Sequence, residues 1–142
     1  MLAAQQRPLA LKMKLVTAAI IIKNNKFFIA KRKAGQKLEG FWEFPGGKIE
    51  VNETPQQCIE RELYEEFKVR AKSGNIIAES IHEYPDGVIK LIGIEAILLS
   101  NNIKLTVHDD VKWVDFDEIA NINLLPADIS LAAQLKKVIS CD

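Results

Sequence analysis

The order of apolar and polar positions divides the chain into strand-length and helix-length pieces. Leu15 to Ile22 is rich in Val, Thr and Ile, Lys23-Asn24-Asn25-Lys26 is a turn sequence, and Phe27 to Ala30 resumes the β pattern, which predicts a hairpin. Gly40-Phe41-Trp42-Glu43-Phe44 is a short extended stretch running into Pro45-Gly46-Gly47. There a residue that fixes φ is followed by two that tolerate positive φ, so the backbone is expected to bend sharply and expose its own polar groups. Thr54, Pro55 and Gln57 read as N-cap, N1 and N3 of a helix, a capping box with proline pre-set for the first turn. A break is expected at Lys72-Ser73-Gly74-Asn75, then a strand over Ile76 to Tyr84, a turn at Pro85-Asp86-Gly87, and a nearly continuous apolar strand over Val88 to Leu99, as at a buried central position. Ile103 to Val107 and Val111 to Val114 are short strand candidates. Asp115 to Glu118 opens a helical turn, and Pro126-Ala127-Asp128 begins a last helix whose Leu131, Leu135 and Ile139 form a buried stripe.

Strands and helices alternate unevenly, which points to an α/β (α+β) fold, a mixed sheet with helices on both faces, rather than a barrel or a bundle. The 142 residues are one domain's worth, able to bury about two thirds of the unfolded surface. That domain is expected over 14–142. Residues 1–13 lack periodicity and contain Pro8, so a disordered tail is expected there.

Lys plus Arg equals Asp plus Glu at 19 each, so the overall charge advertises neither a nucleic-acid polymer nor an anionic membrane as partner. Cys58 and Cys141 have no metal-binding spacing and make no disulfide framework; Cys58 reads as a small core residue. No run of 18 or more apolar residues is present, and the N-terminal apolar positions are interrupted by Gln, Arg, Pro and Lys, so neither a membrane span nor a secretory signal is supported. A cytoplasmic protein is the default expectation.

The chemistry concentrates between Gly46 and Val69. At about 100° per residue, Glu62, Glu65 and Glu66 fall within an arc of roughly 100° on one side of the expected helix. Glu62 and Glu66 are like charges at i,i+4, and Glu65 and Glu66 sit near the C-terminal end, where the helix dipole disfavours anions by about 0.3 to 1 kcal/mol each. Local stability does not select this arrangement, whereas a bound divalent cation reverses its sign, and hard Mg²⁺ takes carboxylate oxygens together with phosphate and water.

Gly47, Glu53 and the run Arg61-Glu62-Leu63-Tyr64-Glu65-Glu66, at these spacings, resemble the signature box of the Nudix hydrolases, enzymes that act on nucleoside diphosphates linked to another group. EFPGGKIE, with ETP and the later LLPAD, is similar to the MutT-type branch, which are nucleoside triphosphate pyrophosphohydrolases. The resemblance covers roughly residues 14–138. It implies a Nudix-like α/β/α sandwich and Mg²⁺, with Mn²⁺ as a substitute, held by Glu62, Glu65, Glu66 and a backbone carbonyl at Gly46 or Gly47. It implies hydrolysis of an oxidised dGTP, a CTP or a related nucleotide to monophosphate and pyrophosphate, in nucleotide-pool sanitation, with attack at the β phosphorus and Glu62 as base. Arg61 and Glu53 are expected to pair and orient the other carboxylates. Arg32 stands where the MutT type has a phosphate-contacting arginine, and its planar fork suits phosphate oxygens. Lys48 is a second polyphosphate candidate. Tyr84, beside its turn, is placed to lie against a base or to close a sheet edge. Asp128 aligns with the position that hydrogen-bonds the nucleobase, and an ionised Asp only accepts; the alternative is an acid complementing the helix dipole.

Two positions depart from the family pattern. Lys68 stands where a helix-stopping Gly is usual, so a shifted helix end is expected. Val107 stands where related enzymes place a metal-binding or base glutamate; Asp109 or Asp110 is the expected replacement, with His108 as an alternative. Trp42 and Phe44 read as core and His82 as structural, while Glu43 has the option of facing the site. The rival functions are hydrolysis of ADP-ribose or a dinucleoside polyphosphate, and a non-catalytic nucleotide-binding domain. The partner is a small-molecule nucleotide, and the chain is expected as a monomer or homodimer.

Overall fold

A computed structural model describes residues 13–139. In chain order the strands are β1 (Met13–Ile20), β2 (Ile22–Lys23), β3 (Lys26–Arg32), β4 (Trp42–Glu43), β5 (Ala71–Tyr84), β6 (Gly87–Leu98) and β7 (His108–Val114). The helices are α1 (Pro55–Phe67), between β4 and β5, then α2 (Phe116–Ile119) and α3 (Pro126–Ile139) after β7. One sheet has the order β1-β6-β5, with β1 parallel and β5 antiparallel to β6; the other joins β2, β3 and β4, with β7 antiparallel to β3. The sheet content is therefore mixed, as expected.

Period-two alternation explains how one chain covers both faces. Ala18 and Ile20 of β1, with Phe27 and Ile29 of β3, enter a core with Leu131 and Leu135 of α3. Their neighbours Ala19, Ile21, Phe28 and Ala30 enter a second core with Ile59, Leu63 and Phe67 of α1. Two helices thus sandwich the strands, and α1 is held by its apolar side with its acids turned away. The expected stripe on α3 is present, since Leu131 and Leu135 are fully buried and Ile139 packs at the margin. Trp42 and Phe44 are core residues, as read.

Several boundaries differ from expectation. The hairpin exists but is only the pair Lys23↔Lys26 and Ile22↔Phe27, turned by Asn24 and Asn25, both at positive φ. Most of the Leu15 to Ile22 stretch instead runs parallel to β6, because its alternating apolar residues are needed on both faces of the central layer. Met13 already belongs to β1, paired with Val88; the rest of the expected tail, 1–12, lies outside the described residues. Lys72 to Asn75 is not a break but an irregular part of β5, with register shifts between Ser73, Ile76 and Ala78. Glu60 from α1 accepts the Ser73 N–H at 3.1 Å and Glu95 accepts that of Asn75 at 3.1 Å, so side chains satisfy backbone that the bulges release. Ile103 to Val107 is not a strand. It is a covering loop whose Thr106 hydroxyl donates to the Glu66 carbonyl at 2.7 Å and so caps α1.

Candidate active site

The double-glycine bend is fastened along the free edge of β1. Ala19 N–H donates to the Pro45 carbonyl at 2.7 Å, Thr17 N–H to Gly47 at 2.8 Å, and Ile49 N–H to Leu15 at 3.0 Å. Gly46 has φ 153°, and a Cβ there would fall onto the Thr17 carbonyl. At Gly47 a Cβ would fall onto Oε2 of Glu62. The second glycine is therefore required by the α1 carboxylate packed against it, which ties the bend to the acidic helix. The Gly47 carbonyl accepts both from Thr17 N–H and from Thr17 Oγ1, the latter at 3.1 Å. The Gly47 carbonyl is thus already engaged by β1, whereas Gly46 lies at the bend itself. Thr17, a buried hydroxyl in an apolar strand, is a site residue that sequence reading did not single out; that polar interruption of the β1 pattern was its only signal.

Helix α1 starts as expected: Thr54 accepts from Gln57 N–H and the Gln57 side chain accepts from Thr54 N–H. Its end corrects the sequence reading. Lys68 itself adopts the left-handed conformation, φ 56° and ψ 34°, with its N–H on the Tyr64 carbonyl, so the helix stops where a glycine would stop it.

On the exposed side of α1, Arg61 is the organiser. Its Nε and Nη2 grip Glu53 at 2.6 and 3.0 Å, Nη2 also meets the Lys48 carbonyl at 3.1 Å, and Nη1 meets Glu62 at 3.3 Å and Glu65 at 3.1 Å. The arginine hydrogen bond holds the Glu53 carboxyl down at about 2, while that pairing raises the pKa of the arginine. Arg61 and Glu53 thus link the bend to the helix and hold two of the three candidate ligands from one side. The Cys58 thiol lies beneath, 3.2 Å from Thr17 Oγ1, and burial pushes it up to about 11. It is a buried free cysteine, as read.

Glu62 and Glu66 face the other way electrostatically. Burial pushes Glu62 up to about 7, against the pull of Arg61. Burial, reinforced by Glu62, Glu43 and Glu65, pushes Glu66 up to about 9. Glu66 Oε1 is buried without a hydrogen-bond partner. Among the described residues no three acidic, His or Cys side chains already close around a common point. What the structure holds instead is a set of hard oxygen donors that Arg61 compensates only from one side, with Glu66 Oε1 left unpartnered, and this donor set fits a hard divalent cation.

Next to Glu66 lies a second group. Glu43 of β4 shares Oε1 with Arg32 Nη1 at 3.1 Å and Oε2 with His108 Nε2 at 2.8 Å. The Arg32 Nε–H donates to the Lys37 carbonyl at 2.8 Å. Glu43 therefore does face the site. Of the three candidates near Val107, His108 is the one brought inward. Asp109 is exposed and accepts from Ala34 N–H at 2.9 Å, and Asp110 is exposed and accepts from its neighbour Val111 N–H at 2.8 Å. The two aspartates named as candidates therefore stay at the surface, and His108 is the one beside Glu43. The cause is a bulge: Lys31 pairs with Asp110 but Arg32 pairs with His108, so Asp109 is the extra residue and His108 turns to the interior.

Asp128, at the start of α3, is buried and accepts the Phe44 N–H at 2.9 Å. Burial, then the charge of Glu43, raises its pKa well above that of an ordinary aspartate. The direction of that shift weakens the ionised, acceptor-only form that the sequence suggests. Tyr84 lies close enough that burial and the Asp128 charge raise its hydroxyl as well. The structure thus brings Tyr84 and Asp128 together. Lys48 is exposed, its carbonyl held by Arg61. His82 stacks obliquely with Tyr84 at 4.5 Å between ring centres, consistent with its structural reading.

A bend locked to a strand edge, an acidic helix packed against it and an Arg61–Glu53 brace are the features of a hydrolase of the Nudix class. The sequence profile of the NUDIX domain matches residues 13–136, and the chain belongs to that family. Members of the family generally use divalent metal ions. The chain is 34% identical over 121 residues, 85% of its length and 90% of the relative's, to the CTP pyrophosphohydrolase of Escherichia coli K12. It is 41% identical over 80 residues, 56% of this chain and 71% of the other, to the 8-oxo-dGTP diphosphatase of Proteus vulgaris. Its fold superposes on the solution structure of the E. coli ORF135 protein with a TM-score of 0.78 at 31% identity, covering 93% of this chain and 96% of that one. Among the described residues no helix is long and apolar enough to cross a membrane.

Proposed function

We propose that this Nudix hydrolase converts a nucleoside triphosphate, an oxidised dGTP or a CTP-type nucleotide, to the monophosphate and pyrophosphate, as a cytoplasmic enzyme of nucleotide-pool sanitation working as a monomer or homodimer. The observation that carries the reading is the pair Glu62 and Glu66, half-buried, with Glu62 against Gly47, pKa values raised and Glu66 Oε1 unpartnered. Burial of uncompensated carboxylates is costly, and a bound cation offsets that cost. Glu62, Glu65, Glu66 and the Gly46 carbonyl would hold Mg²⁺, or Mn²⁺ in its place. When bound, the cation neutralises phosphate charge and makes a water acidic enough to ionise near neutral pH.

The chain's own residues supply the rest. Glu62, packed against Gly47 beside the proposed cation, is the proton acceptor for the attacking water. Arg61, clamped on Glu53, keeps Glu62 and Glu65 oriented. Arg32 has two N–H groups committed to Lys37 and Glu43 and offers the rest of its fork to the polyphosphate, with Lys48 as a second cation. Tyr84 and Asp128 border the base, Tyr84 by its ring and Asp128 by its carboxyl.

A panel of nucleoside triphosphates with Mg²⁺, assayed for products, tests this reading. Pyrophosphate and a monophosphate are expected, with fastest turnover on an oxidised guanine or a cytosine nucleotide. Cleavage of ADP-ribose to AMP and ribose phosphate, with no pyrophosphate from any triphosphate, overturns it.

A further inference from the structure

His108 is held in a way that a packing role alone does not explain. Its ring stacks parallel to Phe67, 6° between planes and 5.2 Å between centres, and the side chain is only 2% exposed. Nδ1 is buried without a hydrogen-bond partner, and an unsatisfied buried polar atom costs about 1–3 kcal/mol. An apolar ring would fill the same space against Phe67 without that cost. What an apolar ring lacks is Nε2, which lies 2.8 Å from Glu43 Oε2. With a carboxylate opposite, Nε2 is the donor.

The chain of contacts continues outward. Glu43 turns its other oxygen to Arg32 Nη1 at 3.1 Å, and the Lys37 carbonyl fixes Arg32 Nε at 2.8 Å. With one oxygen of Glu43 tethered, the rotation that would swing the carboxylate away from Arg32 is restrained. The β3/β7 bulge that turns His108 inward is pinned from outside by Asp109 on Ala34 N–H at 2.9 Å. A backbone irregularity, a buried ring and a carboxylate therefore end on a single guanidinium.

We propose that His108 is a positioning residue for polyphosphate binding: by holding Glu43 from behind, it sets the direction in which Arg32 presents its remaining N–H donors. This rests on the reading of Arg32 as a phosphate ligand. Gln places an amide nitrogen near the position of the imidazole Nε2, whereas Asn is one methylene shorter and falls short of Glu43. Both are polar and smaller than an imidazole, so their comparison isolates the contact from packing.

The experiment measures dissociation constants for inorganic triphosphate with magnesium present, for the wild type, His108→Asn, His108→Gln and Arg32→Ala, and for His108→Asn combined with Arg32→Ala; circular dichroism confirms the fold. His108→Asn is expected to weaken binding about fivefold and His108→Gln by less than about twofold, and in the Arg32→Ala background His108→Asn should add nothing, as coupled residues are non-additive. Equal binding by the Asn and Gln variants overturns the proposal, as does an Asn effect that persists without Arg32 or a wild type that does not bind triphosphate. Failure of the nucleotide reading shows separately, as absence of pyrophosphate release by the wild type.

Discussion

Glu53 and Glu66 lie near opposite ends of one short segment and carry the same functional group, yet their surroundings drive them in opposite directions. Glu53 receives Nε and Nη2 of Arg61, and its carboxyl is held down at about 2. Glu66 is buried among Glu62, Glu43 and Glu65, with one oxygen unpartnered, and is pushed up to about 9. One carboxylate stabilises the protein by being charged; the other destabilises it by being charged until a cation arrives. The difference teaches that the acidic segment joins two unlike parts through Arg61, a brace at Glu53 and, at Glu62, Glu65 and Glu66, the proposed ligand set.

The sharpest way to break this comparison is to neutralise each acid without changing its shape. Glu66→Gln is expected to cut turnover on the order of a thousandfold, as loss of a metal-positioned charge at the reacting centre does. Its stability should not fall. Without a cation at pH 8 the variant should melt above the wild type, and the rise in Tm that saturating Mg²⁺ gives the wild type, about 2.7 kcal/mol at a hundred times Kd, should be largely lost. Thermal melts with and without Mg²⁺ measure both, and an unchanged magnesium response would reject Glu66 as a ligand. Glu53→Gln is expected to do the reverse: about 1–2 kcal/mol of stability lost with the Arg61 clamp, and turnover reduced only about 10- to 100-fold through disordered ligands. Equal kinetic damage in both variants would erase the distinction between brace and ligand set.

Titration sharpens the same contrast. Glu53 has a folded pKa lowered from 4.5 to about 2, so the stability it contributes is present above 4.5 and is lost as pH falls toward 2. Glu62 and Glu66 are raised from 4.5 to about 7 and about 9, so the folded state binds more protons than the unfolded one between those values. Metal-free stability should therefore decline as pH rises from about 4.5 toward 9. Added Mg²⁺ should flatten that decline, and Glu66→Gln should remove its upper part. Denaturant unfolding across pH, in EDTA and then in Mg²⁺, reads both limbs; a metal-free protein that gains stability between pH 5 and 9 would contradict the burial of these acids.

Much of this arrangement was legible in the sequence, for reasons that differ by residue. The capping box at Thr54, the acid spacing on α1 and the paired glycines are local signals, and local signals survive into the fold. The partnership of Arg61 with Glu53 was legible because both sit in one short segment. The inward turn of His108 is not legible locally, because whether it or Asp109 faces the interior depends on a bulge between β3 and β7, strands far apart in sequence. Thr17 was missed for a related reason: its function is to accept the bend along a strand edge, and strand neighbours are not written in local pattern. The raised pKa of Asp128 follows from burial by the whole domain, which no window of sequence reports.

Lys68 offers the smallest and cleanest test, because it belongs to neither device. A lysine held at φ 56° carries a left-handed penalty of about 1 kcal/mol that glycine avoids. Part of that penalty is offset locally: Lys68 Nζ lies 5.8 Å from the centre of the Tyr64 ring, with the Arg70 guanidinium also over that ring at 4.8 Å, and such exposed contacts contribute about 0.5 kcal/mol or more. The main chain needs no change, since Lys104 N–H already meets the Phe67 carbonyl at 2.9 Å and Thr106 caps Glu66. Lys68→Gly should therefore stabilise the protein by about 0.5 kcal/mol, a rise in Tm of roughly one to two degrees, with turnover unchanged. A fall in Tm would mean that the cation over Tyr64 outweighs the backbone strain, and a change in turnover would mean that the end of α1 is coupled to Glu65 and Glu66 more tightly than the separation of brace from ligand set allows.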